Sequence, residues 1–237
     1  MEEGKRILCF MAYFMMVLAS GCTGMLYTMI SSPSIKKPST VPDNKVRLYE
    51  DIRHSVTVFG IEIYPHVIND KAIRDYNTSL IVPFEVKPQG MNYGRPFVID
   101  LALRTENEGI SYAPLFTEVV LAGNTESVYP EKIIISEDAG MSKPPLYIRV
   151  PCLYNKMPAT STILSKGSVT LPSKYSGSNS RKIVKDRWLC VQLQFDIPTP
   201  DPSVRFRLKL GEIVMPNGKH VRPTIYFSPE IYKEFQH

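Results

Sequence analysis

The sequence lacks the common signatures of a catalytic or metal site. It contains no Gly-x-Ser-x-Gly, no His-Glu-x-x-His, no phosphate-binding glycine loop and no Cys-x-x-Cys. No two of its 4 histidines stand at i, i+2 or i+4, so the sequence offers no local pair of metal ligands. We therefore predict a protein that is not an enzyme, with no catalytic residue, no metal site and no cofactor.

Helical periodicity is also lacking beyond the first apolar segment, while the chain holds 20 prolines and 13 glycines. Apolar residues alternate with different neighbours in RPFVIDLALR (95–104), RWLCVQLQFDIP (187–198) and VRFRLKL (204–210). This period of two is typical of half-buried strands. The patterns predict a mainly β protein, an antiparallel β-sandwich of which an immunoglobulin-like arrangement is one form; a barrel is the alternative. The same alternation places Asp100 on the solvent side of its strand, and the tail SPEIYKEF (228–235) is expected to make one helical turn.

The N-terminus has the parts of a secretory signal. Lys5 and Arg6 precede the run ILCFMAYFMMVLASG, 15 residues that end in small side chains. That length suits a signal peptide and is short of the roughly 20 residues needed to span a bilayer.

The segment Leu18-Ala19-Ser20-Gly21-Cys22 resembles the lipobox of bacterial lipoprotein precursors. The resemblance implies cleavage before Cys22, lipidation of its thiol, and attachment to the cell envelope by that lipid. Because Thr23 rather than Asp follows the cysteine, it also implies the outer membrane. The alternatives are an uncleaved single-pass anchor over residues 7–30, with an extracytoplasmic domain, and a secreted protein without an anchor.

The domain organisation follows from these segments. Residues 1–21 are predicted to be the signal peptide or anchor helix, and residues 22–44 a flexible, lipid-anchored linker, because SSPSIKKPSTVPDNK is polar and proline-rich. A single β-sandwich domain is expected over 45–237, with a basic loop insertion around 153–184.

The cysteines divide by position. Cys9 lies in the signal and Cys22 is the lipidation candidate, which leaves Cys152 and Cys190. An even number of remaining cysteines in an oxidising compartment predicts one disulfide between these two. Two separate buried thiols are the alternative. Since Cys190 and Trp188 alternate with Leu189 and Val191, the bridge should lie on the outer face of its strand or under a covering loop.

Positive charge is concentrated in one part of the chain. Residues 143–187 hold nine cations against the single acid Asp186. We predict an anion-binding function for its C-terminal cations together with a cationic row on the outward face of VRFRLKL: Lys166, Lys174, Arg181, Lys182, Lys185, Arg187, Arg205, Arg207 and Lys209. The alternative is a solvated loop whose lysines only maintain solubility.

These features predict a membrane-anchored envelope lipoprotein whose β domain binds another envelope component or serves in an assembly. Its partners would be the membrane, through the lipid, and an anionic lipid or envelope protein. Nucleic acid is a poor match, since no aromatic residues interleave with the cations. The alternative function is a surface-presented hydrolase or carbohydrate-active enzyme on the same sandwich.

Overall fold

The computed structural model describes residues 24–38, 46–48, 54–79, 82–86, 94–139, 152, 162–173, 175–176, 183–184 and 187–236. Within these ranges the chain is almost entirely strand, with one 3₁₀ turn at Pro114–Phe116. The prediction of a mainly β protein with antiparallel sheets is confirmed.

The described strands, in chain order, are β1 (Gly24–Ser34), β2 (Val46–Leu48), β3 (Val56–Val58), β4 (Ile61–Val67), β5 (Lys71–Ser79), β6 (Val82–Val86), β7 (Phe97–Thr105), β8 (Ser111–Ala113), β9 (Glu118–Leu121), β10 (Lys132–Ala139), β11 (Thr162–Ile163), β12 (Val169–Thr170), β13 (Tyr175–Ser176), β14 (Ile183–Val184), β15 (Trp188–Phe195), β16 (Phe206–Lys209), β17 (Glu212–Val214), β18 (His220–Val221) and β19 (Thr224–Gln236).

Two large sheets organise these strands. The seven-stranded sheet has the order β6-β5-β1-β19-β16-β9. Its seventh strand, β2, pairs in parallel with residues 231–233 of β19. The six-stranded sheet has the order β11-β10-β15-β7-β4-β3 and is antiparallel throughout. A smaller sheet, β12-β8-β17-β18, and the β13–β14 pair complete the described strands.

The main core lies between the two large sheets. The alternating apolar residues of β7 and β15 are at most 1% exposed, as their period of two predicts. Phe97 of the six-stranded sheet meets Phe206 of the seven-stranded sheet edge to face, with ring centroids 5.6 Å apart. Phe206 in turn stacks on Phe227, at 4.4 Å. The Phe97–Phe206 contact joins the inner faces of the two sheets.

The linker prediction is wrong for residues 24–34, and the domain begins well before residue 45. Gly24 to Ser34 form β1, which pairs with β19 in unbroken register from Gly24↔Gln236 to Ser34↔Tyr226. The apolar segment GMLYTMI therefore belongs to the sheet, because β19 satisfies its backbone hydrogen bonds. The helical turn expected in the tail is wrong for the same reason, since SPEIYKEF continues β19.

The N-terminal predictions lie mostly outside the described residues. This applies to the signal or anchor helix over 1–21 and to Cys22. The uncleaved-anchor alternative over residues 7–30 loses residues 24–30, which are strand. In the part of the chain that the structure describes, no helix combines the length and apolarity of a membrane span.

The predicted loop insertion at 153–184 is not wholly a loop. Four short strands, β11 to β14, come from it, and β11 adds to the edge of the six-stranded sheet. Val169 and Leu171, which are 7% and 2% exposed, join the main core. Burial of these apolar side chains gives this part of the segment a fixed position.

Candidate anion-binding surface

The predicted anion-binding residues fall into three groups. Lys174, Arg181, Lys182 and Lys185 lie outside the described residues, so their role stays a prediction. Lys166 is exposed between β11 and β12. Exposed Arg187 and Glu108 line a shallow cavity of about 260 Å³, which is smaller than most ligand pockets.

The third group consists of Arg205, Arg207 and Lys209, which lie on β16 or directly before it, and the structure describes their surroundings. Phe206 and Leu208 point into the core, 4% and 0% exposed. Because successive strand residues face opposite sides, Arg207 and Lys209 lie on the outer face of the sheet. Arg207 is exposed and lies across from Val120 of β9 and Tyr226 of β19. Among the described residues, no carboxylate forms an ion pair with Arg205 or Arg207.

Lys209 has a counterion. Its Nζ lies 2.9 Å from Oε1 of Glu118, the residue opposite it on β9, and a guanidinium nitrogen of Arg222 lies 3.9 Å from the same oxygen. The pKa of Glu118 is lowered, first because Lys209 donates a hydrogen bond to it and then because Ser127 and Tyr129 do so. The ionised Glu118 thus orients Lys209 and Arg222, and the surrounding charge remains positive.

Two aromatic side chains flank these cations. Phe116 and Tyr129 are 57% and 55% exposed. Arg222 donates a hydrogen bond to the backbone carbonyl of Phe116, and Tyr129 donates to Glu118. We refer to this set as the cationic–aromatic surface, which comprises Arg205, Arg207, Lys209, Arg222, Phe116 and Tyr129.

A buried network fixes the turn that presents Phe116. The hydroxyls of Tyr112 and Thr117 are hydrogen-bonded at 2.8 Å, and the backbone N–H of Gly211 donates to the Thr117 hydroxyl at 2.9 Å. A Cβ atom at position 211 would meet the carbonyl of Ala113, so only glycine allows this close approach. The surface is therefore held by a rigid base.

The outer face of the six-stranded sheet carries a second cluster, around the only tryptophan of the chain. Trp188 is 1% exposed. The Arg104 guanidinium lies 4.0 Å from its ring centroid and also pairs with Glu62 at 2.8 Å. The Tyr64 ring is nearly perpendicular to the indole, with ring centroids 6.2 Å apart. Such a cation–π contact stabilises a buried ring and a guanidinium together.

The disulfide lies on the same face. Cys152 and Cys190 are bonded, with Cα atoms 5.6 Å apart, and Cys190 is only 1% exposed. The alternation had indicated that Cys190 and Trp188 face away from the main core, and they do. Their near-complete burial shows that this outer face is covered at this end of β15.

A row of polar residues crosses the middle of this face. His66, Asp100 and Gln192 occupy paired positions on β4, β7 and β15. Gln192 donates a hydrogen bond to Asp100 at 3.0 Å, while the Nδ1 atom of His66 and the hydroxyl of Ser136 are buried without a partner. Asp100 does lie opposite the core, but it is half-buried rather than freely solvated.

Burial sets the charge of this row. It raises the pKa of Asp100 to about 6, against which the Gln192 hydrogen bond acts. It lowers the pKa of His66 to about 4, and His54 adds to the lowering. Between about pH 4 and pH 6 both side chains are uncharged, which puts a proton donor next to a proton acceptor, the chemistry that the hydrolase alternative would need.

Sequence reasoning identified the β16 cations but missed their surroundings. Phe116 and Glu118 lie two residues apart, but Tyr129 and Arg222 come from other segments that only the fold brings to them. Among the described residues, no three His, Cys, Asp or Glu side chains are grouped to hold a metal ion. No protein-family model, no curated protein and no solved structure matches the chain.

Proposed function

We propose that this chain is a lipid-anchored, non-catalytic envelope protein that binds an acidic partner protein through its cationic–aromatic surface. The observation that carries the proposal is the pair Arg205 and Arg207, which have no carboxylate partner among the described residues and lie on the same strand face as Lys209. The counterion of Lys209, Glu118, also bonds exposed Tyr129 and lies near Arg222. Arginine and aromatic side chains are the residues that most often dominate binding energy at protein interfaces. The two facing sheets, which we interpret as an immunoglobulin-like sandwich, would serve as its scaffold.

Anchoring is supported by the lipobox-like segment LASGC, which ends two residues before β1 begins. In this proposal Cys22 is the mature N-terminus and carries the lipid. Thr23 favours the outer membrane, and an oxidising envelope compartment suits a Cys152–Cys190 disulfide.

The position of the surface favours a protein over the anchoring membrane as the partner. Arg207 lies opposite Tyr226, which pairs with Ser34 at the end of β1 remote from Gly24. Ser34 follows Gly24 by ten residue steps along β1, a span of about 34 Å at the usual rise per residue. With the strands upright on a lipid attached to Cys22, the surface would lie too far from that membrane to bind it and would be accessible to another protein.

The binding test uses the full chain in native membranes. Crosslinking and co-purification of the wild type should recover a defined acidic protein, with a yield that falls as salt screens the cations. The double variant Arg205→Ser/Arg207→Ser should lose at least about tenfold of that yield. The matched control is Lys132→Ser/Lys219→Ser, which removes two cations that are exposed elsewhere. Equal recovery with both variants would refute the role of this surface.

Two further arms test the remaining parts of the proposal. Binding of the chain to anionic vesicles, lost in the same arginine variant, would replace the protein partner by lipid. Labelling with a radioactive fatty acid should mark the wild type and not Cys22→Ser. A wild type that takes up no label and keeps residues 1–21 would overturn the lipid anchor.

A further inference from the structure

The inner face of the seven-stranded sheet continues beyond the main core. Ile225 and Phe227 of β19 are fully buried in that core. Alternate residues of a strand share a face, and the β1–β19 register is unbroken, so Ile231 and Lys233 lie on the same side. Both are only half-buried. The sheet thus extends as a ledge toward Gly24 and Gln236.

This ledge is apolar on its inner side. One cross-strand row is Val46–Ile231–Met29, and the next row toward Gly24 is Leu48–Lys233–Tyr27. Val46 and Leu48 are 44% and 39% exposed. We refer to Tyr27, Met29, Val46, Leu48 and Ile231 as the apolar strip; Lys233 lies within it.

We propose that the apolar strip lies in the headgroup layer of the membrane to which Cys22 attaches the chain. The inference rests on the proposed lipidation of Cys22 and adds an orientation to it. With the strip in this layer the strands stand upright, the Gly24 end enters the headgroups, and the cationic–aromatic surface stands above the bilayer.

The short distance to Cys22 supports this occupant. Only Thr23 lies between Cys22 and Gly24, so the tether of two residue steps spans at most about 7 Å. Tyr27 lies three residues into β1, about 10 Å from its start. A lipid on Cys22 therefore holds the Leu48 row close to the headgroups, and the Val46 row about 7 Å higher.

The chemistry of the strip matches that environment. Aliphatic side chains enter the boundary between headgroups and acyl chains, and tyrosine is enriched at that level. Lysine there extends its ammonium group toward the lipid phosphates while its stem stays in apolar surroundings. A second copy of the chain is the other occupant that an apolar sheet face would accept, and the test separates the two.

The test places a tryptophan on the strip in full-length, lipidated protein reconstituted in vesicles. The variants are Leu48→Trp and Val46→Trp, with native Trp188, which is 1% exposed, as a shared background. Phe59→Trp is the matched control, since Phe59 is 51% exposed. It lies just before β4, whereas Asn69, just after β4, is the residue that bonds Ser31 of β1. The quencher is a phospholipid brominated near the top of its acyl chains.

We expect quenching at least twofold stronger for Leu48→Trp than for Phe59→Trp, with Val46→Trp between them. Equal quenching in Leu48→Trp and Phe59→Trp overturns the inference. So does an unquenched Leu48→Trp in protein that sediments as a dimer, which would assign the strip to a second copy. The mass of the N-terminal peptide reports lipid on Cys22 independently. Absence of that lipid refutes the anchor, whereas lipid without quenching refutes only the orientation.

Discussion

His66 and Asp100 lie directly opposite each other on β4 and β7, and burial drives both toward their uncharged forms. The pKa of Asp100 rises to about 6 and that of His66 falls to about 4. Between these values neither side chain carries a charge, although each would be ionised through much of that range if it were free in water. The outer face of the six-stranded sheet therefore has this uncharged pair at its centre between about pH 4 and pH 6.

Asp100→Asn should stabilise the protein at alkaline pH. The folded-state pKa is raised, so the folded state holds a proton that the unfolded chain releases, and stability falls as pH rises from about 4 to 6. A shift of this size corresponds to a gain of about 2 to 3 kcal/mol for the variant at pH 8 and almost none at pH 3.5. Urea denaturation at both pH values measures this difference.

The control for that prediction is Asp196→Asn, because the Asp196 side chain is 69% exposed. It should change the unfolding free energy equally little at both pH values. An Asp100→Asn variant that is no more stable than wild type at pH 8 would show that the carboxylate is well solvated.

The Cys152–Cys190 disulfide should contribute substantially to stability. It closes a loop of 38 residues. On the chain-entropy model this raises the free energy of unfolding by about 3 to 4 kcal/mol, from which any strain in the folded state is subtracted. Denatured, unreduced protein in which Cys9 and Cys22 are both changed to Ser should hold no free thiol, and Cys152→Ala/Cys190→Ala should lower the urea midpoint. Two titratable thiols in the unreduced protein would contradict the pairing.

Gly211→Ala should be strongly destabilising because the added Cβ atom has no room, not because the φ angle at this position requires glycine. The added Cβ would overlap the carbonyl of Ala113 and displace the N–H that bonds Thr117. We expect a loss on the order of 3 kcal/mol in urea denaturation. Gly123→Ala is the contrast, with open space but a φ of +87°, and should cost about 1 kcal/mol. Equal losses would argue against tight packing at Gly211.

Arg104 should support Trp188 through both its charge and its flat guanidinium. Arg104→Met leaves Glu62 without this ion pair and removes the cation over the indole. We expect a loss of about 2 kcal/mol and a red shift of the Trp188 emission. Arg104→Lys should restore only part of the stability, because an ammonium group lacks the planar fork.

A double-mutant cycle separates the two contributions of Arg104. Glu62→Gln should recover part of the stability that Arg104→Met loses, since it removes the carboxylate that has lost its ion pair with Arg104. If the two losses simply add, the ion pair contributes nothing measurable and the ring contact is the main support.

Local alternation was enough to predict some strands and not others. β7 and β15 were evident because one face of each enters the core and the other does not. β1 was missed because GMLYTMI comes directly after the apolar run of residues 7–21 and continues its apolar character. What distinguishes it is its partner, which begins at Thr224 and cannot be inferred from neighbouring residues.

The candidate surface was predictable to the same extent. The row Arg205, Arg207 and Lys209 follows from strand periodicity alone. Phe116 and Tyr129 carry no local signal, because a 3₁₀ turn and the loop before β10 bring them beside Arg222. The charge of Lys209 was visible in the sequence, but its neutralising contact with Glu118 depends on the β9–β16 register.

The pairing of β1 with β19 also constrains how the protein is made. About 190 residues separate the two strands along the chain, so this contact closes late in synthesis and contributes to a high contact order. Until β19 leaves the ribosome, β1 has an open edge and an apolar face, the features that favour aggregation. A chain truncated before Thr224 would expose this strand permanently. Since Gln236 pairs with Gly24, a C-terminal tag would be attached near the start of β1.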